Sequence, residues 1–471
     1  MSPPPLLLPL YLSLLLALGA APARALTRLQ ELYTWRGVDF QFPNAAVRAA
    51  AIRSGAYVEG NPVPLDVDVY QGESGQRVFV TLPRLNPGTP TTLATVVEDP
   101  RAGAAYVPGG SPGSAPLLTA YPDWAWNRQG DCDALTSVFR MQVDQQCGRL
   151  WALDTGRVDI LSRFELICPP KLVVFDLRGG DRVLKKHRFP DDVLQAGSLP
   201  VTVAVDVRGA DRHSCGSAFA YVADVTEYGL VVYDLFNDRS WRVNHKYFYP
   251  YPTSGTFNVA GTTFDLMDGV LGLALSPALP QEGGERRLYF HSLASVRESW
   301  VSTGVLRNAS LFADGANAAR GLFRLSEGER PSQAAAEAMD PHGVLFFSLL
   351  ARNSLNCWVA ATGSPYNARS LVELDQDDRA LQFASGVKVV TGRDGAPEVW
   401  MLTSRFQRLM GSGLDPTDFN FRVLRAPVRL LVKGTKCDQR RGGVEAPQRP
   451  SYGQGHRPGS GSWREAVRKY W

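Results

Sequence analysis

The residue types that bind metals or act as nucleophiles are present in this 471-residue chain, but they are not spaced for that chemistry. No His-Glu-x-x-His or Cys-x-x-Cys pair occurs, and neither a P-loop nor a dinucleotide fingerprint is found. The six histidines lie far apart in the sequence: His187, His213, His245, His291, His342 and His456. We therefore expect no metal site and no bound cofactor.

One formal match to the Gly-x-Ser-x-Gly nucleophile elbow lies at Gly109–Gly113. That motif works by holding its serine on a tight turn between a strand and a helix. Here the match falls within a loop rich in proline and glycine, so we attribute it to chance. The sequence therefore names no catalytic residue.

Carboxylates and aromatic rings at the ends of strand-like runs offer a different chemistry, the binding of a protonated aromatic amine. A carboxylate such as Asp224 or Asp268 would pair with the ammonium group, and an aromatic side chain would receive the ring. The candidates are Asp224, Tyr228, Phe257, Asn258, Asp265, Asp268, Gln333, Phe346 and Phe347. Each also has a structural explanation, because strand-end aspartates cap turns and aromatic rings pack between sheets.

A repeated strand phrase indicates the fold that must position these residues. Six short hydrophobic runs carry an aromatic residue, at intervals of 72, 70, 68, 57 and 54 residues: Phe79, Trp151, Tyr221, Tyr289, Phe346 and Trp400. Repetition of a large unit with loops of variable length favours an all-β, six-bladed β-propeller, with two β-sandwich domains as the alternative. A propeller has an axial channel, and the candidate residues are expected at its mouths.

Two of the repeats show four strand-like runs each, which predicts four-stranded antiparallel blades. The runs are residues 139–144, 149–154, 171–177 and 182–188 in one repeat and 201–207, 219–224, 229–235 and 240–245 in the next. The last repeat has only three such runs. We predict that residues 31–42 supply its missing edge strand and so close the ring.

The beginning of the chain and its cysteines favour a secreted protein. Residues 1–25 resemble a signal peptide, with Ala23 and Ala25 as the small residues before the cleavage point. Six cysteines permit 15 pairings. Strand topology favours Cys132 with Cys168, Cys147 with Cys215 and Cys357 with Cys437. Asn308 lies in the one glycosylation sequon, Asn-Ala-Ser.

Charge is concentrated at the end of the chain. Residues 438–471 carry seven basic and three acidic side chains, which accounts for the whole formal net charge of +4. We predict a propeller domain over residues 26–437 and a disordered basic tail, rich in Gly, Pro and Arg, over residues 438–471. The body lacks a basic excess, so we expect no nucleic-acid partner. Without a second long apolar stretch, we expect no membrane span.

The motifs of the chain resemble those of the yellow and major royal jelly protein family. The most specific is Cys147–Gly156, with the sequence Cys-Gly-Arg-Leu-Trp-Ala-Leu-Asp-Thr-Gly. Further matches include Tyr121–Trp124, Cys168–Lys171, Asn356–Trp358 and Asp418–Arg422. The resemblance spans almost all of residues 26–437 and itself implies a six-bladed propeller.

The resemblance leaves three functions open. It implies a role in cuticle pigmentation and melanin formation through binding of aromatic amines or catechols. It also allows a dopachrome-converting enzyme, with Asp224 or Asp268 as the base and His291 or an arginine as a donor. The third function is a non-catalytic extracellular protein whose basic tail contacts the cuticle matrix. No catalytic constellation comes with the resemblance.

Overall fold

The computed structural model describes residues 28–97, 115–209, 212–313, 319–360 and 363–439. The predicted signal peptide, the glycine-rich segment at Gly109–Gly113 and nearly all of the predicted tail lie outside these residues. Within them, no helix is long and apolar enough to cross a membrane.

Six four-stranded antiparallel sheets make up the described part of the chain, which confirms the all-β propeller. The first strand is β1 (Gln30–Trp35). Blade 1 contains β2 (Asp66–Gly72), β3 (Gly75–Thr81), β4 (Leu93–Val96) and β5 (Leu118–Ala120). Blade 2 contains β6 (Val138–Asp144) and β7 (Arg149–Asp154), then, after the small pair β8 (Arg157–Val158) and β9 (Glu165–Leu166), β10 (Lys171–Asp176) and β11 (Arg182–Arg188).

The second half continues the same order of strands. Blade 3 contains β12 (Pro200–Val207), β13 (Ala218–Asp224), β14 (Gly229–Asp234) and β15 (Arg239–Asn244), and is followed by a hairpin of β16 (Thr256–Val259) and β17 (Thr262–Asp265). Blade 4 contains β18 (Val270–Leu275), β19 (Arg287–Ser292), β20 (Ser299–Ser302) and β21 (Arg324–Leu325). Blade 5 contains β22 (Glu337–Met339), β23 (Val344–Leu349), β24 (Ser354–Val359) and β25 (Val372–Gln376).

Blade 6 joins the two ends of the propeller. Its strands β26 (Ala384–Thr391), β27 (Pro397–Thr403) and β28 (Phe421–Pro427) are completed by β1, which pairs antiparallel with β28 from Gln30 opposite Arg425 to Trp35 opposite Phe421. The predicted closing strand is therefore confirmed. It ends at Trp35, before the predicted segment does, and Phe40 instead forms a bridge to Leu118 in blade 1.

The helices are short and lie outside the blades. They are α1 (Ala45–Arg53), α2 (Thr303–Leu306), α3 (Phe406–Leu409) and α4 (Val428–Leu431). Single 3₁₀ turns occur at Ala125–Asn127, Arg212–Gly216, Lys246–Phe248, Pro252–Ser254, Pro280–Glu282, Ala309–Phe312, Arg320–Leu322 and Leu350–Arg352.

The repeated aromatic residue lies in the second strand of every blade. All six of these rings are buried, and their neighbours in the core come from adjacent blades. A four-stranded sheet with two apolar faces cannot bury both alone, so packing of blade against blade provides the core. The first strands β2, β6, β12, β18, β22 and β26 each contact the next around the ring and surround the axis.

Three disulfides link the predicted cysteines. They join Cys132 to Cys168, Cys147 to Cys215 and Cys357 to Cys437, and no cysteine of the described residues is free. The first lies within blade 2, the second ties blade 2 to blade 3, and the third ties the segment after blade 6 to blade 5. Each pairing agrees with the one favoured by strand topology.

Candidate functional site

One mouth of the axial channel is covered by apolar side chains. The starts of first strands and the ends of second strands converge there, and a single buried cluster contains Leu65, Leu82, Leu199, Val225, Leu293, Leu350, Phe383 and Leu402. The β16–β17 hairpin adds Phe257, Val259 and Phe264 to the same cluster. The hairpin therefore packs across the mouth as a lid, and contacts α3 through β17.

Four of the predicted ligand residues belong to this lid or hold it in place. Phe257 is buried and stacks on Phe264 at 5.1 Å between ring centroids. Gln333 donates from Nε2 to the carbonyl oxygens of Ser254 and Thr256, both at 2.9 Å. Asn258 and Asp265 are exposed on the outer side of the hairpin. The polar groups of these residues thus bond to the hairpin or face solvent.

The two predicted aromatic partners are packed inside the propeller. Phe346 is fully buried in a cluster shared by blades 5 and 6, and Phe347 is fully buried beside Tyr366 and Trp358 on the opposite face of the same strand. Successive residues of a strand point to opposite faces, so both rings meet a neighbouring blade. The structure corrects the expectation that they receive a ligand ring in the channel.

Asp224 is occupied by interactions of its own protein. Its fully buried carboxylate accepts hydrogen bonds from Ser198 Oγ at 2.6 Å and from the Leu199 backbone N–H at 3.0 Å. The guanidinium of Arg242 pairs with it at 2.9 Å. A buried carboxylate with three donors is a structural cap, so Asp224 is not available to a ligand.

Asp268 is different, because no charged group of the described residues pairs with its carboxylate. It lies between the lid hairpin and the first strand of blade 4, at the same end of the propeller. The side chain is half-buried, and within the described residues no hydrogen bond or ion pair reaches its carboxylate. Burial raises the pKa of the Asp268 carboxyl to about 7. An acid with this pKa is half ionised at neutral pH and lacks the partner that would stabilise its charged form.

Aromatic rings border Asp268. The Tyr228 hydroxyl lies 3.5 Å from the carbonyl oxygen of Met267, and its ring packs so closely on Gly269 that a Cβ there would come within 2.5 Å of Cδ1. Tyr249 lies beside it, with ring centroids 5.1 Å apart, and is 52% exposed. Tyr228 therefore contacts both residues that flank Asp268 in the chain, and the pair of tyrosines lies at an accessible edge of this segment.

The wall of the channel carries charges that sequence inspection missed. Lys388 Nζ pairs with Asp66 Oδ2 at 3.2 Å and donates to the carbonyl oxygen of Met141 at 2.6 Å. Asp68 accepts from the Val143 backbone N–H at 2.8 Å, and burial raises the pKa of its carboxyl to about 6. These groups tie blades 1, 2 and 6 together. These charged residues stand between apolar ones in β2 and β26. That pattern could have predicted the ion pairs, since buried charges inside otherwise apolar strands need partners.

Two surface cavities lie away from Asp268. One of about 370 Å³ lies between the segments 36–60 and 414–420, with Arg36, Asp39 and Asn420 in its wall. The other, of about 200 Å³, lies at the far end of the first strands of blades 2 to 4 and is lined by Asp144 and Arg286 among others. Neither cavity is lined by a residue that the sequence analysis predicted to bind a ligand.

A second group of ionisable side chains is buried between blades 4 and 5. His291 Nδ1 lies 3.1 Å from Glu298 Oε2 and 3.2 Å from Glu337 Oε2, and all three side chains are fully buried. Arg330 NH1 pairs with Glu298 Oε2 at 2.8 Å. The three residues are 7 and 39 positions apart in the sequence, so no local spacing could have revealed the cluster.

The fold and its cross-links define the class of protein. It is a six-bladed β-propeller whose first and last described strands pair in one blade and whose blades are linked by disulfides. The chain belongs to the major royal jelly protein family, which matches residues 136–437.

Relatives named after the yellow protein cover most of the chain. Protein yellow of Drosophila madeirensis is 35% identical over 457 residues, which span 96% of this chain and 75% of the relative. Protein yellow of Drosophila pseudoobscura pseudoobscura is 36% identical over 445 residues, or 93% and 74% of the two chains. Among solved structures, a luciferin-regenerating enzyme is 12% identical with a TM-score of 0.41 and covers 78% of this chain and 91% of its own. A likeness of that size carries no conclusion about activity.

Proposed function

We propose that this protein acts in pigment formation by binding an aromatic amine or catechol metabolite beside Asp268. The yellow relatives support the pigmentation role, because the yellow branch of the family is associated with melanin formation. The observation that supports the binding role is the half-buried carboxylate of Asp268, which no charged group of the described residues neutralises, in a segment that Tyr228 contacts.

The chemistry of this edge suits a cationic aromatic ligand. An ammonium group placed against Asp268 supplies the counter-charge that the folded protein lacks, and favours the ionised carboxylate. A ligand ring packed on Tyr228 or Tyr249 adds offset stacking, which contributes about 0.5–1.5 kcal/mol. The hydroxyl groups of a catechol can bond to backbone groups of the same edge.

Calorimetry with dopamine, serotonin and dopachrome at pH 8 tests the proposal. We expect the wild-type protein to bind at least one amine and Asp268→Asn to weaken that binding by about tenfold or more, because the charge pair is lost. Asp265→Asn is the matched control, since Asp265 is an exposed carboxylate on the neighbouring hairpin. If none of the three compounds gives heat on mixing with the protein, the binding role is excluded.

The same residue supports a second function, the tautomerisation of dopachrome. That reaction needs a base whose pKa lies near the working pH, and the pKa of about 7 at Asp268 meets this condition. Dopachrome decay faster than in buffer, lost in Asp268→Asn and kept in Asp265→Asn, is the expected result. Decay at the buffer rate with purified protein would exclude it.

We also propose that the protein is secreted. Three formed disulfides support this, since structural disulfides persist in oxidising compartments. Recovery of the protein from the medium of expressing cells, with residues 1–25 removed, is the expected outcome. Retention on cuticle matrix, compared with a chain lacking residues 440–471, tests the proposed contact of the basic tail.

A further inference from the structure

We propose that the buried cluster of His291, Glu298 and Glu337 is a binding site for one divalent metal ion that accepts mixed nitrogen and oxygen ligands, such as Zn²⁺ or Mn²⁺. One ligand atom from each of the three side chains lies within 4.8 Å of the other two. The site is structural, because it is fully buried between blades 4 and 5 and has no contact with solvent.

The orientation of the imidazole is fixed by its other nitrogen. His291 Nε2 lies 3.1 Å from the carbonyl oxygen of Ala334, which can only accept, so Nε2 carries the proton of the ring. Nδ1 therefore faces the two carboxylates. A histidine that donates one N–H to a backbone carbonyl and turns its second nitrogen toward carboxylates has the arrangement of a metal ligand with its outer partner.

Space for the ring is provided by the opposite strand. A Cβ at Gly272 of β18 would overlap the imidazole of His291. The glycine therefore lets the ring lie against the backbone of its neighbouring strand, with Nδ1 directed to Glu298 and Glu337.

The carboxylates have oxygens that nothing in the described protein satisfies. Glu298 Oε1 and both oxygens of Glu337 are buried without a hydrogen-bond donor. Glu337 Oε2 is close to His291 Nδ1, but the contact lacks hydrogen-bond geometry, whereas the contact of Nδ1 with Glu298 has it. A buried carboxylate that lacks donors is strongly destabilising. A metal ion would satisfy both carboxylates at once.

The distances between ligand atoms fit a metal ion. A tetrahedral ion with bonds of about 2.0–2.1 Å separates its ligand atoms by roughly 3.3 Å. The separations of Nδ1 from Glu298 Oε2 and Glu337 Oε2 are 3.1 and 3.2 Å. A spare oxygen on each carboxylate allows either one to bind in bidentate fashion and complete the coordination.

The competing occupant of the same place is a proton on His291 Nδ1. Together with the charge of Arg330, that proton would balance the two carboxylates. Its hydrogen bond goes to Glu298, whereas its contact with Glu337 lacks hydrogen-bond geometry, so both Glu337 oxygens are left without a donor among the described residues. The metal ion and the proton are mutually exclusive, so metal content decides between them.

The test uses the secreted full-length chain, produced in medium containing Zn²⁺ and Mn²⁺ and purified without chelators. We expect about one equivalent of one of these metals per chain by mass spectrometry, bound as the protein folds. Anomalous diffraction should locate the ion between His291 and Glu337. The substitution Glu337→Gln, which keeps the shape but removes a ligand charge, should lower the metal content about tenfold or more.

The matched control is Asp154→Asn, which breaks another fully buried ion pair, between Asp154 and Lys171 at 2.7 Å. It should lose stability and keep its metal. Wild-type protein without metal, or with an ion located elsewhere, would overturn the proposal, as would an imidazolium at His291 in its NMR spectrum. These measurements need no activity, so they stand apart from the role of Asp268.

Discussion

At the scale of single residues, two aspartates at strand ends of the propeller differ in whether their carboxylates are paired. Asp224 ends a second strand and is neutralised by Arg242, whereas Asp268 precedes a first strand and has no such partner in the described residues. An unpaired carboxyl that is kept partly protonated lowers stability when it ionises.

The pH dependence of stability follows from this pKa. Unfolded Asp268 ionises near 3.8, and the folded protein holds the proton to about pH 7. The folded state therefore binds the extra proton between these values, and the contribution of Asp268 to stability falls as pH rises from 4 to 7. Asp268→Asn should be more stable than wild type at pH 8 by on the order of 1 kcal/mol, after allowance for its partial exposure, and equal at pH 4.

Thermal unfolding at the two pH values measures this difference. Asp265→Asn serves as the control, because Asp265 is exposed and bonds only locally to Thr256 at 2.7 Å. An Asp268→Asn variant that gains nothing at pH 8 relative to pH 4 would show that this carboxyl is not destabilised by burial.

A second residue-scale prediction concerns Gly156, which follows β7. Its φ is +66°, and a Cβ would overlap the carbonyl oxygen of Cys168. Gly156→Ala should therefore lose about 3 kcal/mol or more, because backbone must move next to the disulfide. Gly180 has φ of +70° and open space around it, so Gly180→Ala measures only the cost of placing alanine in the left-handed backbone conformation. This substitution should lower the free energy of unfolding by about 1 kcal/mol. Equal losses in urea unfolding would refute the steric argument.

At the scale of elements, strand β1 determines whether blade 6 is complete. Without it, β28 would present its unpaired backbone groups along a whole edge. Trp35 would leave the central cluster as well, where it is 1% exposed and donates from Nε1 to the carbonyl oxygen of Pro116. The N-terminal segment therefore contributes both hydrogen bonds and core.

Removing residues 26–43 while keeping the signal segment should abolish secretion or cause aggregation. The comparison chain lacks residues 440–471. Their removal leaves every described strand intact, so this chain should be secreted normally. The yields of the two chains in the medium are the measurement. Normal yield and an unchanged melting temperature without residues 26–43 would show that β1 does not close the ring.

The blades could be predicted from sequence, but the lid could not be distinguished from a channel wall. Strand phrases repeat because each blade needs the same buried second strand, so Trp151 and Tyr221 marked their blades correctly. The segment around Phe257 alternates as a hairpin, and Ala260 and Gly261 both have positive φ in its turn. The hairpin itself could therefore have been predicted from this turn. Its packing across the mouth depends on side chains from five blades and has no local pattern.

Candidate-site residues were the harder part for a similar reason. The neighbouring blade decides the exposure of Phe346, and the partner of Asp224 lies two strands away in the sheet. The sequence supplied Asp268 and Tyr228 as candidates, yet only three-dimensional packing shows that the carboxylate of Asp268 stays unpaired. Chemistry that depends on a missing partner cannot be read from residue types.

At the scale of the whole molecule, the ring is closed by β1 on β28, and the disulfide from Cys357 to Cys437 fixes the segment after blade 6 to blade 5. Every blade contacts two others through its first strand, so no blade ends the stack. We expect the propeller to unfold in a single cooperative transition, because opening one seam exposes the faces of both neighbouring blades. A separate early transition of the wild-type protein in calorimetry would contradict this expectation.

The disulfide from Cys357 to Cys437 should contribute more than the one within blade 2. It spans 80 residues against 36 for Cys132 to Cys168. Loop entropy alone assigns about 4.5 kcal/mol to the longer link and about 3.8 kcal/mol to the shorter one. The longer link also holds α4 and the segment up to Cys437 against blade 5, where Cys437 and Leu431 are buried. Replacing both cysteines of each pair by alanine and comparing melting temperatures tests this order. A smaller loss for the pair Cys357 and Cys437 would mean that packing holds the segment after blade 6 on blade 5 without help from the covalent link.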